Sequence, residues 1–128
     1  MYNLKRTNDD ININLFQFSN TITKDDLINF QKDFDLIFSE KKTFFVIFNL
    51  LNISSFDMNF FITMLSYIHK NKVLVKEFMK ASSIIVTSKF RPILNMALSI
   101  KKPFTPNFVT SDLNVAIEFL LKVNHVKN

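Results

Sequence analysis

The sequence predicts one α/β domain on a mainly parallel sheet of four to five strands, with helices alternating between them. Three observations carry that expectation. Strand-like and helix-like hydrophobic patterns alternate along the chain, an order that builds a parallel sheet with right-handed crossover helices packed against it. The run TFFVIFNL from Thr43 to Leu50 is almost unbroken apolar, β-branched and aromatic, as a central strand covered on both faces should be. A length of 128 residues buries one core and is too short for two independently stable ones. Residues 1–10 read as a polar segment able to supply a short edge strand, 11–124 as the domain, and 125–128 as a frayed tail.

Each element has its own signal. From 11 to 18, Ile11, Ile13 and Leu15 alternate with Asn12 and Asn14, which predicts a strand with one wetter face near the sheet edge; the weak run around Tyr2 and Leu4 can pair with it as a hairpin. Thr23 precedes Lys24-Asp25-Asp26 as an N-cap with acids in the first turn, and Leu27, Phe30, Phe34, Ile37 and Phe38 then recur at helical spacing to about Ser39. After the strand at 43–50, a second helix opens at Asp57. Its stripe is Phe60, Phe61, Met64, Leu65 and Ile68, and Val75, Phe78 and Met79 extend it past a break at Asn71. Ser83 to Ser88 reads as a short buried strand. Pro92 suits the first turn of a helix burying Ile93, Met96, Ala97 and Ile100, with Lys101 and Lys102 at its negative end. Pro103 and Pro106 stop that helix, Phe108-Val109-Thr110 forms the last strand, and Asp112 caps a final helix with Leu113, Ile117, Leu120 and Leu121 inside.

Composition excludes whole classes of chemistry. The chain has no Gly, so a phosphate-cradling P-loop, a G-x-G-x-x-G dinucleotide turn, a standard EF-hand loop and a G-x-S-x-G nucleophile elbow are all missing. It has no Cys, hence no disulfide, thiol nucleophile or thiolate metal site. His69 and His125 stand alone, without a second ligand at metal spacing. We expect no metal and no cofactor. The excess of Phe, Ile, Asn and Lys over Gly, Ala and Arg is what an AT-rich genome encodes, so part of the lysine count reflects coding. The start, MYNLKRTNDD, lacks the apolar stretch of a signal peptide, and the longest apolar runs fall short of the ~18 to 20 residues of a membrane span. These features predict a cytoplasmic protein that does not cross a membrane.

Two longer stretches carry a resemblance. FQFSNTITKDDLINFQKDF, from Phe16 to Phe34, with the following FFVIFNL strand and the helix opening near Asp57, resembles STAS-type domains and the related SpoIIAA-like family, the anti-sigma-factor-antagonist type also labelled STAS/SEC14. KKPFTPNFVTSDLNVAIEFL, from Lys101 to Leu120, is similar to the same family's ending. Together they span residues 11 to 122. The resemblance implies a regulatory domain that meets a partner protein at the loop before the second helix, where a Ser after an Asp is the phosphorylated switch. Here that stretch reads Phe56-Asp57-Met58-Asn59-Phe60: the Asp matches, and Met58 has no hydroxyl to accept a phosphoryl group. Asn20 stands where many relatives have Gly, and Asn tolerates positive φ next best.

The candidate sites follow. Ser54, Ser55 and Asp57 lie at a strand-to-helix junction, where a positive helix end attracts oxyanions, and where Ser or Asp equally serves as a simple N-cap. With Met58, Asn59 and Phe61 they make up the expected partner surface. Residues 70–102 hold eight basic side chains and one acidic, and Lys72, Lys76 and Lys80 at i, i+4 and i+8 form a stripe if one helix runs through them. Lys70, Lys89 and Arg91 would extend that stripe toward an anionic surface, or it is a solvated face. Two Arg and aromatics at core spacing argue against nucleic acid. Sixteen Phe could line a pocket for an apolar or lipid-like ligand, or simply fill the core. Asp25, Asp26, Asp57 and Lys89 faintly match a response-regulator receiver, without that fold's fifth β-α unit. No activated nucleophile or tuned acid/base pair emerges. The leading expectation is a non-catalytic module that binds another protein, as a monomer or homodimer; the alternatives are a carrier or sensor of an apolar ligand, and an oligomer paired through the edge strand.

Overall fold

Strands and helices alternate in the computed structural model, which describes residues 1–7 and 11–126. The order is β1 (Tyr2–Arg6), β2 (Ile13–Asn20), α1 (Lys24–Ser39), β3 (Phe44–Ile53), α2 (Met58–Lys70), α3 (Lys72–Phe78), β4 (Met79–Ile85), α4 (Arg91–Ile100), β5 (Asn107–Thr110) and α5 (Leu113–Val126). The five strands form one sheet in sequence order; β1 pairs antiparallel with β2, and β2 to β5 are parallel. Strands added one after another in one direction, each by a right-handed crossover, place their connecting helices on one face. That face holds the larger core, with Phe16, Phe30, Phe34, Phe44 and Phe48 buried against residues of α2 and α4. α5 covers the other face, where Ala116 and Leu120 pack on Ile13, Phe45, Ile47, Ala81 and Ile85.

Local sequence explains the helix starts. At α1 the Thr23 hydroxyl accepts from the Asp26 amide at 3.1 Å while the Asp26 carboxylate accepts from the Thr23 amide at 2.9 Å, a capping box. The turn after α1 needs a left-handed residue, and Lys41 supplies it at φ 54°. Asn20, the last residue of β2, does the same at φ 59°.

Several expectations from sequence are corrected. Asn14 does not lie on a wet face: it is fully buried on the phenylalanine side of β2, with Oδ1 accepting from Arg6 Nε at 2.7 Å. The wetter face of β2 is the opposite one, where Leu15 and Gln17 are half-buried, because α1 packs on Phe16 and Phe18, the side that Asn14 shares. β3 runs three residues beyond Leu50. Met79 leaves the helical stripe and starts β4, which spans 79–85 rather than 83–88, because Met79 pairs with Phe44 of β3. On α4 the buried residues are Leu94 and Ala97, while Met96 and Ile100 are 58% and 61% exposed. On α5, Leu113 and Leu121 are likewise exposed, and Ala116 and Leu120 face the sheet. His125 falls inside α5, and residues 127–128 of the expected tail and 8–10 of the N-terminal segment lie outside the described residues.

Candidate functional site

Parallel strands bring β2, β3, β4 and β5 to one end of the sheet with their C-termini together, and α1, α2, α4 and α5 start there. In open α/β sheets this end, with its loops and unpaired helix amides, is where binding sites collect. The loop from Ser54 to Asp57 leaves β3 here. The Ser54 amide donates to the Asn20 carbonyl at 3.0 Å, which ties the loop to the end of β2. Asp57 caps α2, its Oδ1 accepting from the Asn59 amide at 2.8 Å. The helix end is thus met by the chain's own carboxylate.

Side-chain exposure sorts the expected surface. Ser54, Ser55, Asp57 and Asn59 are exposed, Met58 is half-buried, and Phe61 is 4% exposed. Phe61 therefore supports the loop from beneath, because its place in the α2 stripe points it at the sheet. Its ring meets that of Phe56 at 5.3 Å, and Phe56 meets Phe90 at 5.9 Å. No spacing in the sequence marks Phe56 or Phe90. Each follows a strand end without a helical stripe to mark it, and only the sheet topology brings the two loops together. Both are half-buried. Lys89 Nζ stands 5.4 Å from the Phe90 ring centre, and the Arg91 guanidinium donates to the Val109 carbonyl at 2.8 Å.

The basic residues do not form one stripe. The helix breaks at Asn71 and gives way to β4 at Met79, so Lys72 and Lys76 sit on α3 while Lys80 lies in a strand. Lys80 Nζ donates to the Glu77 carbonyl at 3.1 Å. Lys89 and Arg91 follow the far end of β4, whose seven residues set them roughly 20 Å of strand away from Lys80. Lys70, Lys72, Lys76 and Lys80 thus belong to one end of the sheet, and Lys89 and Arg91 to the other.

Phenylalanine fills the interior. Phe16 stacks on Phe34 at 5.1 Å, and Phe30 meets both edge-on at 5.2 and 5.3 Å, geometries that aromatic rings favour. The space lined by Phe48 and Phe104 between α2, α4 and the sheet is about 30 Å³, and that beside Phe48 and Phe61 about 10 Å³. A single water needs about 10–15 Å³ of such space and a ligand pocket roughly 300 Å³ or more, so neither space holds a lipid-like ligand. A cleft of about 210 Å³ opens between the ends of β1, β2 and β3, and its lining mixes Asn3, Gln17, Asn49 and Asn52 with Met1, Tyr2 and Phe18. Among the described residues, no three His, Asp or Glu side chains cluster as a metal site would require, and no helix is long and apolar enough to cross a membrane.

No protein-family model matches the chain, and no curated protein matches it. Among solved structures, it is similar to an uncharacterized protein of the DUF3478 family with a SpoIIAA-like fold from Shewanella loihica PV-4. The TM-score is 0.63 at 13% identity, over 94% of this chain and 92% of that one. At that identity the likeness speaks to fold, and the fold is SpoIIAA-like, as the resemblance of the sequence implied.

Proposed function

We propose that this chain is a non-catalytic regulatory module that binds another protein through the loop from Ser54 to Asp57, the start of α2 and the neighbouring Phe90. The observation that carries this reading is the Phe56–Phe90 pair, half-exposed at 5.9 Å between two loops. Half-buried aromatics held by a rigid scaffold are what partner proteins use as anchors. Around the pair lie exposed Ser54, Ser55, Asp57 and Asn59, with Lys89 against the Phe90 ring, a polar rim of mixed charge. The sequence resemblance to anti-sigma-factor antagonists supports a partner at this end, while Met58 in the switch position favours recognition that does not depend on phosphorylation there.

The test uses Asp57→Lys and Met58→Asp, with the partner captured from the source cells, identified, and then titrated as a purified protein. A charge reversed in the rim, or a carboxylate set beside the aromatic pair, costs about 2 kcal/mol or more at a complementary interface, so each variant should weaken the complex by about 30-fold or more while melting cooperatively. Wild-type affinity in both folded variants would refute the assignment.

A further inference from the structure

The end of the molecule opposite the proposed partner surface gathers positive charge. α2 finishes there with His69 and Lys70, α3 adds Lys72 and Lys76, and α4 runs out through Ile100 into Lys101 and Lys102. One ring ties these elements together. Lys72 Nζ and Lys76 Nζ stand 5.5 and 5.7 Å from the centre of Phe104. His69 packs on the same ring at 4.3 Å, and its Nε2 lies 2.9 Å from the Lys102 carbonyl. Lys101 lines the small cavity beneath. Among the described residues, ion pairs join the Met1 amine to Asp26 and Arg6 to Glu40, so no carboxylate of those residues neutralises these lysines. Glu77 is the acidic side chain of α3, and what Lys80 takes from it is the backbone carbonyl.

Charge alone would describe a solvated face, but aliphatic side chains protrude through it. Val73, between Lys72 and Lys76, is 76% exposed, and Ile100, directly before Lys101, is 61% exposed. A nucleic acid would be met by arginine and exposed aromatic faces, whereas cations surrounding projecting aliphatics match the boundary between anionic headgroups and acyl chains. We propose that this end docks on an anionic membrane surface. The lysines lie against the lipid phosphates and carboxylates, and Val73 and Ile100 enter the headgroup–acyl boundary.

The test is flotation of the full chain with phosphatidylcholine vesicles, with and without phosphatidylserine. Wild-type protein should float with the phosphatidylserine vesicles and come off as salt is raised. Lys72→Ala and Lys76→Ala should each weaken partitioning about fivefold, as expected for a lysine near an anionic surface. Val73→Ser with Ile100→Ser should weaken vesicle binding while leaving retention on heparin unchanged, which separates insertion from bare charge. All four sites are exposed, so the variants should melt as wild type; if the α3 variants do not, Lys101→Ala with Lys102→Ala provides the same readout from α4. Wild type that fails to float, serine variants that float undiminished, or tighter binding to duplex DNA than to the vesicles at equal salt would each overturn the proposal.

Discussion

Lys41 holds φ at 54° in a chain that has no glycine. Its amide donates to the Phe38 carbonyl at 3.1 Å, closing the end of α1 with a left-handed residue, a place where glycine is usual. A Cβ in that conformation costs roughly 1–2 kcal/mol, partly offset by the entropy that glycine would lose on folding. Lys41→Gly should therefore raise unfolding stability by about 0.5–1 kcal/mol, read as a higher denaturant midpoint at constant slope. Phe34 gives the opposite sign: it is fully buried and packs on Phe16, Phe30, Phe38 and Phe44, so Phe34→Ala should cost about 3–5 kcal/mol in the same experiment. The two tyrosines make a third case. Burial first, and then hydrogen bonds to Asp33 and Asp35, push the Tyr2 and Tyr67 hydroxyls far above their ordinary value of 10.0. A raised native pKa means that the folded protein keeps a proton the unfolded chain gives up. The stability these hydroxyls add is full below pH 10 and is lost as pH rises beyond it. Tyrosinate absorbance should thus stay flat through pH 10 in native protein and rise in one step with unfolding; gradual ionisation of a folded protein near pH 10 would contradict the geometry.

At the scale of elements, what could be read from sequence depended on how local the determinants were. α1 was legible to the residue because its cap, Thr23, its first-turn acids and its stripe all lie within one stretch. The start of β4 was not, because Val75, Phe78 and Met79 keep helical spacing and only pairing with β3 pulls Met79 into the sheet. α4 failed differently: Ile93, Leu94, Met96, Ala97, Leu98 and Ile100 surround the helix with apolar groups, so spacing alone could not choose the buried face. The loop before α2 was legible in part. Ser54, Ser55 and Asp57 could be singled out as cap or site, and the structure assigns the cap to Asp57 through its 2.8 Å bond to the Asn59 amide. Asp57→Ala should then cost about 1 kcal/mol, while Ser55→Ala, exposed and without a cap role, should fall within about 0.5 kcal/mol. Equal losses at the two positions in thermal unfolding would move the cap away from Asp57.

Over the whole molecule, the sheet's order decides what neighbours what, and sequence spacing carries little of that. Lys80 and Lys89 are nine positions apart yet sit at opposite ends of β4, whereas Phe56 and Phe90 are distant in sequence and meet at 5.9 Å. The same order makes β1 the guard of one edge. β1 pairs along β2 from Tyr2↔Phe18 to Arg6↔Asn14, its Tyr2 ring lies 5.0 Å from Phe18 and 6.3 Å from Phe16, and Arg6 grips Glu40 at the end of α1 through 2.8 and 2.5 Å bonds. Without β1, the eight residues of β2 would present an unpaired edge beside newly wetted Phe16 and Phe18, the arrangement that recruits strands from other chains. Removal of residues 1–7 should therefore leave a protein that associates with itself, seen as a concentration-dependent rise in mass by light scattering together with binding of an apolar dye. Replacing Tyr2 alone with Ala should loosen the core while keeping the edge paired. That variant should lose stability without gaining mass, since its backbone still completes the ladder. If Tyr2→Ala aggregates as the truncation does, the ring rather than the strand protects the edge, and the pairing of β1 is a consequence of core packing instead of its guard.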